Sequence, residues 1–277
     1  DLRGFPLKNR KEKVTIMANK EVTQASSSEV LVLDDDLLSG GTGLEDTSSE
    51  DYAIPFIRVL QSGSPQLKKS NGKYIEGAAQ GMMFNTVTNQ LYDGDEGLLV
   101  VPCAYAKKYI EWVPRDSGGG IVNSDHSVDI LKECTQNDKK KYMLANGNEV
   151  QETAQYFAMV VNNEEEPEEA LLSFTSSGLG FSRRWNSMLR TARVKNSAGD
   201  MVLAPMFANI YRIKTVEQSN DLGSWYGFTA EKEKGTPLAL ARLARDFMTA
   251  ARSGAVNVKQ ESAVDDDTVV AGDYIPF

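Results

Sequence analysis

Lys108-Tyr109-Ile110-Glu111-Trp112-Val113 is the stretch that decides the fold class, and it stops at Pro114. Short runs rich in Val, Ile, Thr and aromatic residues, bounded by turn residues, are typical of β-strands. Similar runs recur through the middle of the chain, with Gly, Asn and Asp between them. They are Tyr52 to Leu60, Gly81 to Thr88, Leu98 to Val101, Gln155 to Val161, Ala170 to Phe174, Met206 to Val216 and Trp225 to Ala230. The sequence therefore predicts a body built mainly from strands.

Two segments with helical spacing interrupt the strands. The first has an apolar face formed by Phe181, Trp185, Met188, Leu189 and Ala192. Its other side carries the arginines Arg183, Arg184, Arg190 and Arg193. The second begins at Thr236-Pro237 and ends at Gly254, with an apolar face of Leu240, Leu243, Ala244, Phe247 and Ala251. Both patterns predict amphipathic helices that pack against the strands.

Charge and composition divide the 277 residues into a body and two acidic arms. Between Asp34 and Glu50 lie six acids and no base, and residues 254–277 hold five acids and one base. Segments of this kind bury too little apolar surface to fold, so we expect disordered arms at 1–50 and 254–277 around a body at 51–253. Residues 1–16 precede Met17, which is the expected natural start, and are interpreted as an upstream extension. Val30 to Leu33 is a candidate edge strand.

Several classes of function are disfavoured by what the chain contains. No apolar run approaches the length of a membrane span. The two cysteines, Cys103 and Cys134, suit a reducing compartment, and with His126 they lack zinc-ligand spacing, so no metal and no cofactor is expected. Asp93, Asp95 and Glu96 are clustered, but neighbouring glycines indicate a turn. The glycine-rich loop Arg115 to Asn123 is expected to be mobile and lacks the residues of a phosphate-binding loop. We therefore predict a protein that is not an enzyme.

Interleaved basic and aromatic residues are the feature that favours binding to single-stranded nucleic acid. Single-strand binders need cations for phosphates and flat side chains for unstacked bases. The candidate DNA-binding residues fall in three stretches. They are Tyr105, Lys107, Lys108, Tyr109, Trp112 and Arg115; Lys139, Lys140, Lys141 and Tyr142; and Arg183, Arg184 and Trp185. For each of them a structural role remains an alternative, since Trp112 and Trp185 suit a core and the lysines suit a solvated turn.

The chain ends on Asp273-Tyr274-Ile275-Pro276-Phe277, after the acidic run Asp265-Asp266-Asp267. Pro276 restricts the backbone, and Phe277 joins an aromatic ring to a carboxylate, a combination that a hydrophobic pocket rimmed by Arg or Lys can capture. This ending resembles the C-terminal tip of bacterial single-stranded DNA-binding proteins. The resemblance implies that Asp273, Tyr274, Ile275, Pro276 and Phe277 bind replication and repair proteins.

The body also resembles single-stranded DNA-binding proteins of tailed phages. The stretches that carry this resemblance are Glu50 to Phe56, Tyr109 to Arg115 and Ser182 to Asn186. It implies an OB-fold-like barrel, in a mainly β (α+β) class, with large loops and the two helices added. It also implies a protein of the infected host's cytoplasm that coats single strands without sequence preference. A strand-annealing or recombination-mediator protein, a virion or scaffold protein and a nuclease are the alternatives.

Overall fold

The computed structural model describes residues 34, 39, 41–48, 51–161, 167–221 and 223–259. Two compact units divide the chain, Asp1–Asp46 and Thr47–Phe277. In the first, the described part includes a turn in which the Glu45 carboxylate accepts hydrogen bonds from the backbone N–H groups of Thr42 (2.6 Å) and Gly43 (3.1 Å). The strand predicted at Val30 to Leu33 and the chain after residue 259 lie outside the described residues.

The second unit is mainly β, as the sequence predicts. Its described strands are β1 (Phe56–Val59), β2 (Met83–Asn85), β3 (Leu91–Tyr92), β4 (Leu98–Trp112), β5 (Ile121–His126), β6 (Thr135–Gln136), β7 (Tyr142–Met143), β8 (Glu149–Val160), β9 (Glu168–Thr175), β10 (Arg193–Lys195), β11 (Met201–Leu203), β12 (Asn209–Asn220) and β13 (Gly223–Gly235). Its described α-helices are α1 (Gly178–Thr191) and α2 (Leu238–Ser253). Both helices confirm the predictions made from the helical spacing of apolar residues. Gly254, with φ of 77°, closes α2 in a left-handed conformation that glycine adopts readily.

One large sheet organises these strands in the order β13-β12-β4-β8-β9-β1-β2-β3. Neighbours on this path run antiparallel, except for the parallel pair β1 and β9. At their far ends, β4 also pairs with β5, and β8 with β7. The 15-residue strand β4 joins the two separate runs predicted at Leu98 to Val101 and Lys108 to Val113. The predicted loop Arg115 to Asn123 contains a 3-10 turn, and its last residues begin β5.

A β-bulge in β4 sets the direction of its side chains. Pro102 pairs with Ala158 and Ala104 pairs with Phe157, so Cys103 is an extra residue in the ladder. Before the bulge Leu98 and Val100 pack on one side of the sheet, and after it Tyr105 contacts Tyr156 on that same side. The bulge also accommodates Pro102, which has no N–H group to donate within a central strand.

The sheet curls until its two ends meet. The Thr215 N–H donates to the Gly94 carbonyl (3.0 Å), and the Thr215 hydroxyl donates to the Gly81 carbonyl (2.5 Å). The Gln61 amide forms two hydrogen bonds with the backbone of Tyr226, each 2.8 Å long. Loops beside β2 and β3 are thereby joined to β12 and β13. The result is a partly closed barrel, consistent with the OB-fold-like α+β class.

Each face of the sheet has its own hydrophobic core and its own helix. On the inner face, α1 places Phe181, Trp185 and Leu189 against residues of β4, β8, β9 and β12. On the outer face, α2 places Leu240, Ala244 and Phe247 against residues of β1, β4, β8 and β9. Two residues predicted for the apolar helix faces, Met188 and Leu243, are exposed instead. Val256 and Val258 continue the outer packing beyond α2.

Candidate nucleic-acid interface

Strand alternation divides the predicted site between the two faces of the sheet. Successive side chains of a strand point to opposite faces. After the bulge, Tyr105, Lys107 and Tyr109 therefore lie on the inner face, and Lys108 and Trp112 on the outer face. The sequence groups these residues within eight positions, but they cannot all contact one strand of nucleic acid on the same surface.

The inner-face residues form what we call the tyrosine face, defined as Tyr105, Lys107, Tyr109 and Tyr142. Tyr105 is 36% exposed, and its ring meets the Tyr156 ring edge to face at 5.0 Å. Tyr156 is fully buried, stacks on Trp185 at 4.5 Å, and its hydroxyl donates to the Ser182 carbonyl oxygen (3.0 Å). Tyr105 is therefore an exposed ring supported from beneath by a rigid, hydrogen-bonded core residue.

Lys107 lies two positions further along β4 on the same face. Its side chain is 45% exposed, and its ammonium group lies 2.7 Å from the Glu152 carboxylate. The hydrogen bond to Glu152 raises the pKa of Lys107, so the side chain stays charged. An ion pair this exposed contributes only ~0–1 kcal/mol, so Lys107 can exchange Glu152 for a phosphate, at the cost of repulsion between that phosphate and the Glu152 carboxylate.

Tyr109 and Tyr142 complete the tyrosine face at its far end. Tyr109 is almost completely buried, and this burial raises its pKa. Tyr142 is half-buried on β7, and it interacts electrostatically with Tyr109. Tyr105 is therefore the most exposed ring of the three.

A buried carboxylate fixes the far end of the tyrosine face. The Glu111 carboxylate lies 2.7 Å from His126 Nε2 and accepts hydrogen bonds from the side-chain amides of Asn148 (2.6 Å) and Asn146 (3.4 Å). The bond from Asn148, followed by that to His126, lowers the pKa of Glu111 against the opposing effect of burial. The cluster links β4 to β5 and to the turn before β8, which makes it a structural element.

The outer-face candidates are engaged with neighbouring side chains. Lys108 lies 2.7 Å from Asp125 on β5, and Lys141 lies 3.0 Å from Glu149 on β8. Trp112 is half-buried, and its indole N–H has no hydrogen-bond partner among the described residues. The two ion pairs connect β4 to β5 and the residue before β7 to β8.

Lys139 and Lys140 lie in a tight turn. The Asn137 side chain accepts hydrogen bonds from the backbone N–H groups of Lys139 (3.0 Å) and Lys141 (2.9 Å). Lys140 has φ of 58°, a left-handed conformation typical of a turn. Both lysines are exposed, and the geometry corresponds to the solvated-turn alternative.

The helix α1 separates its three candidate residues. Trp185 is 1% exposed, and its rings pack on Tyr156 and against Tyr211, so it has no face to offer a base. Ser182 and Asn186, spaced four residues apart, both contact the Tyr156 hydroxyl and mark the side of α1 beside the tyrosine face. By helical geometry Arg183 and Arg190 lie about 80° and 60° around the helix from that side, and Arg184 lies about 180° from it.

Arg115 begins the 3-10 turn after β4, and the tip residues Asp273, Tyr274, Ile275, Pro276 and Phe277 lie outside the described residues.

Asp93, Asp95 and Glu96 form the predicted turn, since the Asp93 carboxylate accepts hydrogen bonds from the N–H groups of the other two. Across the described ranges, no three His, Cys, Asp or Glu side chains converge as metal ligands. In the same ranges, no helix has the length and apolarity needed to cross a membrane.

Sequence reasoning missed one basic segment. Residues 56–75 contain Arg58, Lys68, Lys69 and Lys73 and no Asp or Glu. Part of this segment, including Arg58, Lys73 and Tyr74, lines a cavity on the outer face. The cations are scattered along the chain, so no cluster is visible in the sequence; the absence of acids across these positions was the available signal.

Comparison with known proteins identifies the family. A family model described as "Pam3 phage gp34-like protein" matches residues 21–257, which is more than half of the chain and ends before the C-terminal tip. No curated protein and no solved structure matches the chain. The match agrees with the phage origin that the resemblance of the body implies. The chain is therefore a phage protein that belongs to the Pam3 phage gp34-like family.

Proposed function

We propose that this phage protein binds single-stranded DNA without sequence preference, with the tyrosine face as the contact surface. The observation that carries the proposal is the pairing of exposed Tyr105 with exposed Lys107 on one face of the curled sheet. A base stacks on the Tyr105 ring while the neighbouring phosphate binds Lys107. Stacking of this kind contributes ~1–3 kcal/mol per base and does not read the sequence.

The surroundings of Tyr105 suit this role. Its ring is held on Tyr156, which is itself fixed by Ser182 and Asn186, so little side-chain freedom is lost when a base binds. Arg183 and Arg190 lie on the adjacent side of α1 and extend the cationic surface beyond Lys107. Phosphate contacts of this kind need no base-specific geometry.

Within the same proposal, the ending Asp273 to Phe277 recruits replication and repair proteins, and the protein works in the cytoplasm of the infected host. The support is the chemistry of the ending, an apolar pair around Pro276 with a terminal carboxylate. The protein acts by binding and not by catalysis. Mg²⁺-dependent degradation of single strands by purified protein would contradict this part and would point to Asp93, Asp95 and Glu96.

The test is fluorescence anisotropy with labelled single-stranded and duplex oligonucleotides of equal length at several salt concentrations. We expect tighter binding to the single strand, equal affinity for unrelated sequences, and a log–log salt slope of about −0.7 per phosphate neutralised. A slope of zero, or equal affinity for duplex, would refute the proposal. Rapid pairing of complementary strands in a parallel annealing assay would assign the protein to the strand-annealing class instead.

A further inference from the structure

A second surface with cations and aromatic rings lies on the outer face of the sheet, away from the tyrosine face. It is a cavity of about 260 Å³ between β1, β2 and the loop that joins them. The lining includes two cations, two aromatic rings and several amides and hydroxyls. Arg58, Lys73, Tyr74, Phe84, Gln66 and Asn89 are the members that matter here.

Strand pairing brings a cation and an aromatic ring together at the base of the cavity. Arg58 on β1 is directly opposite Phe84 on β2, so both side chains project from the same face. The Arg58 guanidinium also lies 5.3 Å from the centre of the Phe56 ring. This arrangement holds a planar cation beside apolar surface, where its interaction with an anion is less screened than in water.

The joining loop supplies the other wall in a fixed conformation. The Gln61 N–H donates to the Ser64 hydroxyl (2.9 Å), and the Lys73 N–H donates to the Asn71 side chain (2.9 Å). The Ile75 N–H donates to the Gln66 carbonyl (3.0 Å), which ties two parts of the loop together. Lys73 and Tyr74 are therefore positioned by local hydrogen bonds before any ligand arrives, which lowers the entropy cost of binding.

Charge and size narrow the class of ligand. The absence of any carboxylate from residues 56–75 gives the segment a charge of +4 from Arg58, Lys68, Lys69 and Lys73. Cavities for drug-sized ligands span roughly 300–1,000 Å³, so this one suits a smaller molecule. An anion that also carries a flat ring satisfies both the cations and the aromatic side chains.

We propose that this cavity binds a single nucleotide unit, with its phosphate near Arg58 and Lys73 and its base against Tyr74. The proposal goes beyond strand binding at the tyrosine face, because the two surfaces lie on opposite faces of the sheet and can be tested separately. A free mononucleotide and the phosphorylated end of a strand share this chemistry.

The primary test is isothermal titration calorimetry of the full chain with 5′-deoxyadenosine monophosphate, deoxyadenosine and inorganic phosphate. We expect the nucleotide to bind at least about tenfold more tightly than either fragment, a difference of ~1.4 kcal/mol. No detectable nucleotide binding at millimolar concentration, or phosphate binding as tight as that of the nucleotide, would overturn the proposal.

Matched variants locate the site. The double variant R58Q/K73Q removes two positive charges from the lining, whereas K68Q/K69Q removes two from the same loop outside the lining. We expect about a tenfold or greater loss for the first and less than about a threefold loss for the second. Equal losses would indicate diffuse attraction and no built site. Tyr74→Leu provides an independent check if R58Q/K73Q misfolds; it should weaken nucleotide binding and leave phosphate binding unchanged, and an unchanged nucleotide affinity would count against the proposal.

Competition experiments distinguish a free nucleotide from the end of a strand as the ligand of the cavity. A 5′-phosphorylated oligonucleotide that displaces the mononucleotide better than its unphosphorylated counterpart assigns the cavity to strand ends, and equal weak displacement assigns it to free nucleotides. Failure of this proposal is distinct from failure of the proposed function, because R58Q/K73Q is expected to retain internal-strand binding through Tyr105 and Lys107.

Discussion

Replacing Tyr105 with leucine tests the tyrosine face directly. The variant keeps an apolar side chain on the strand but removes the exposed ring. If one base stacks on Tyr105, affinity for single strands should fall by the stacking energy of ~1–3 kcal/mol, which is roughly 5- to 150-fold. The salt slope should stay unchanged, because no phosphate contact is removed.

The structural cost of this change is small enough to keep the result interpretable. The substitution loses one edge-to-face contact with Tyr156, worth ~0.5–1.5 kcal/mol. A domain of ordinary stability, ~5–15 kcal/mol, remains folded after such a loss. Thermal unfolding of the variant checks this before any binding is measured.

Anisotropy titrations with labelled single strands provide the measurement, and Tyr105→Phe is the matched control. Phenylalanine retains the ring, so its affinity should stay within about twofold of the parent if stacking is the interaction. A leucine variant that binds as tightly as the parent at every salt concentration would show that no base stacks at this position. The tyrosine face would then be an ordinary surface.

Four further predictions test the faces of β4, the packing of the barrel, the Glu111 cluster and the C-terminal tip. Lys107→Gln should reduce the magnitude of the salt slope by about 0.7, whereas Lys108→Gln on the outer face should not change it; salt titrations giving equal slopes for the two variants would contradict the assigned faces. Gly94→Ala should lower the free energy of unfolding by ~1–3 kcal/mol or more in denaturant titrations, since an added Cβ would lie 2.2 Å from a backbone carbonyl oxygen, and an unchanged midpoint would argue against this packing. The lowered folded-state pKa of Glu111 stabilises the fold above its unfolded value of about 4.5, and this contribution disappears as pH falls through the lowered pKa; Glu111→Gln should therefore flatten the acid side of the pH–stability profile, and an identical profile would be evidence against it. Phe277→Ala should abolish calorimetrically measured binding to a replication partner while DNA affinity stays the same, and undiminished partner binding would identify the tip as an ordinary terminus.

Local patterns predicted much of the fold because they depend on neighbouring residues. The helical spacing around Trp185 correctly placed its helix, and the Pro237 and Gly254 signals placed the ends of the second within two residues. The union of two predicted strands into β4 was not predictable in this way. It depends on a proline that the ladder accommodates only because Cys103 forms a bulge opposite β8.

The candidate site was less predictable, since it depends on which face each residue occupies. Lys107 and Lys108 are adjacent in sequence, but the strand directs them to opposite faces. Trp185 was a candidate because tryptophan serves both cores and stacking platforms, and only the packing of Tyr156 and Tyr211 assigns it to the core. The cavity around Arg58 and Lys73 depends on the conformation of a loop, which composition alone does not specify.

The bulge at Cys103 has a consequence for how this surface can change during evolution. Successive side chains of a strand alternate between its two faces. One extra residue therefore places every later residue on the face opposite to the one that simple alternation along the sequence predicts. Because the ladder already pairs Pro102 with Ala158 and Ala104 with Phe157, deleting Cys103 would remove the bulge and leave Tyr105, Lys107 and Tyr109 on the inner face. The bulge is therefore a position where β4 can lose a residue without moving its exposed tyrosine and lysine, whereas deleting the regularly paired Ala106 would turn Lys107 and Tyr109 towards the outer face.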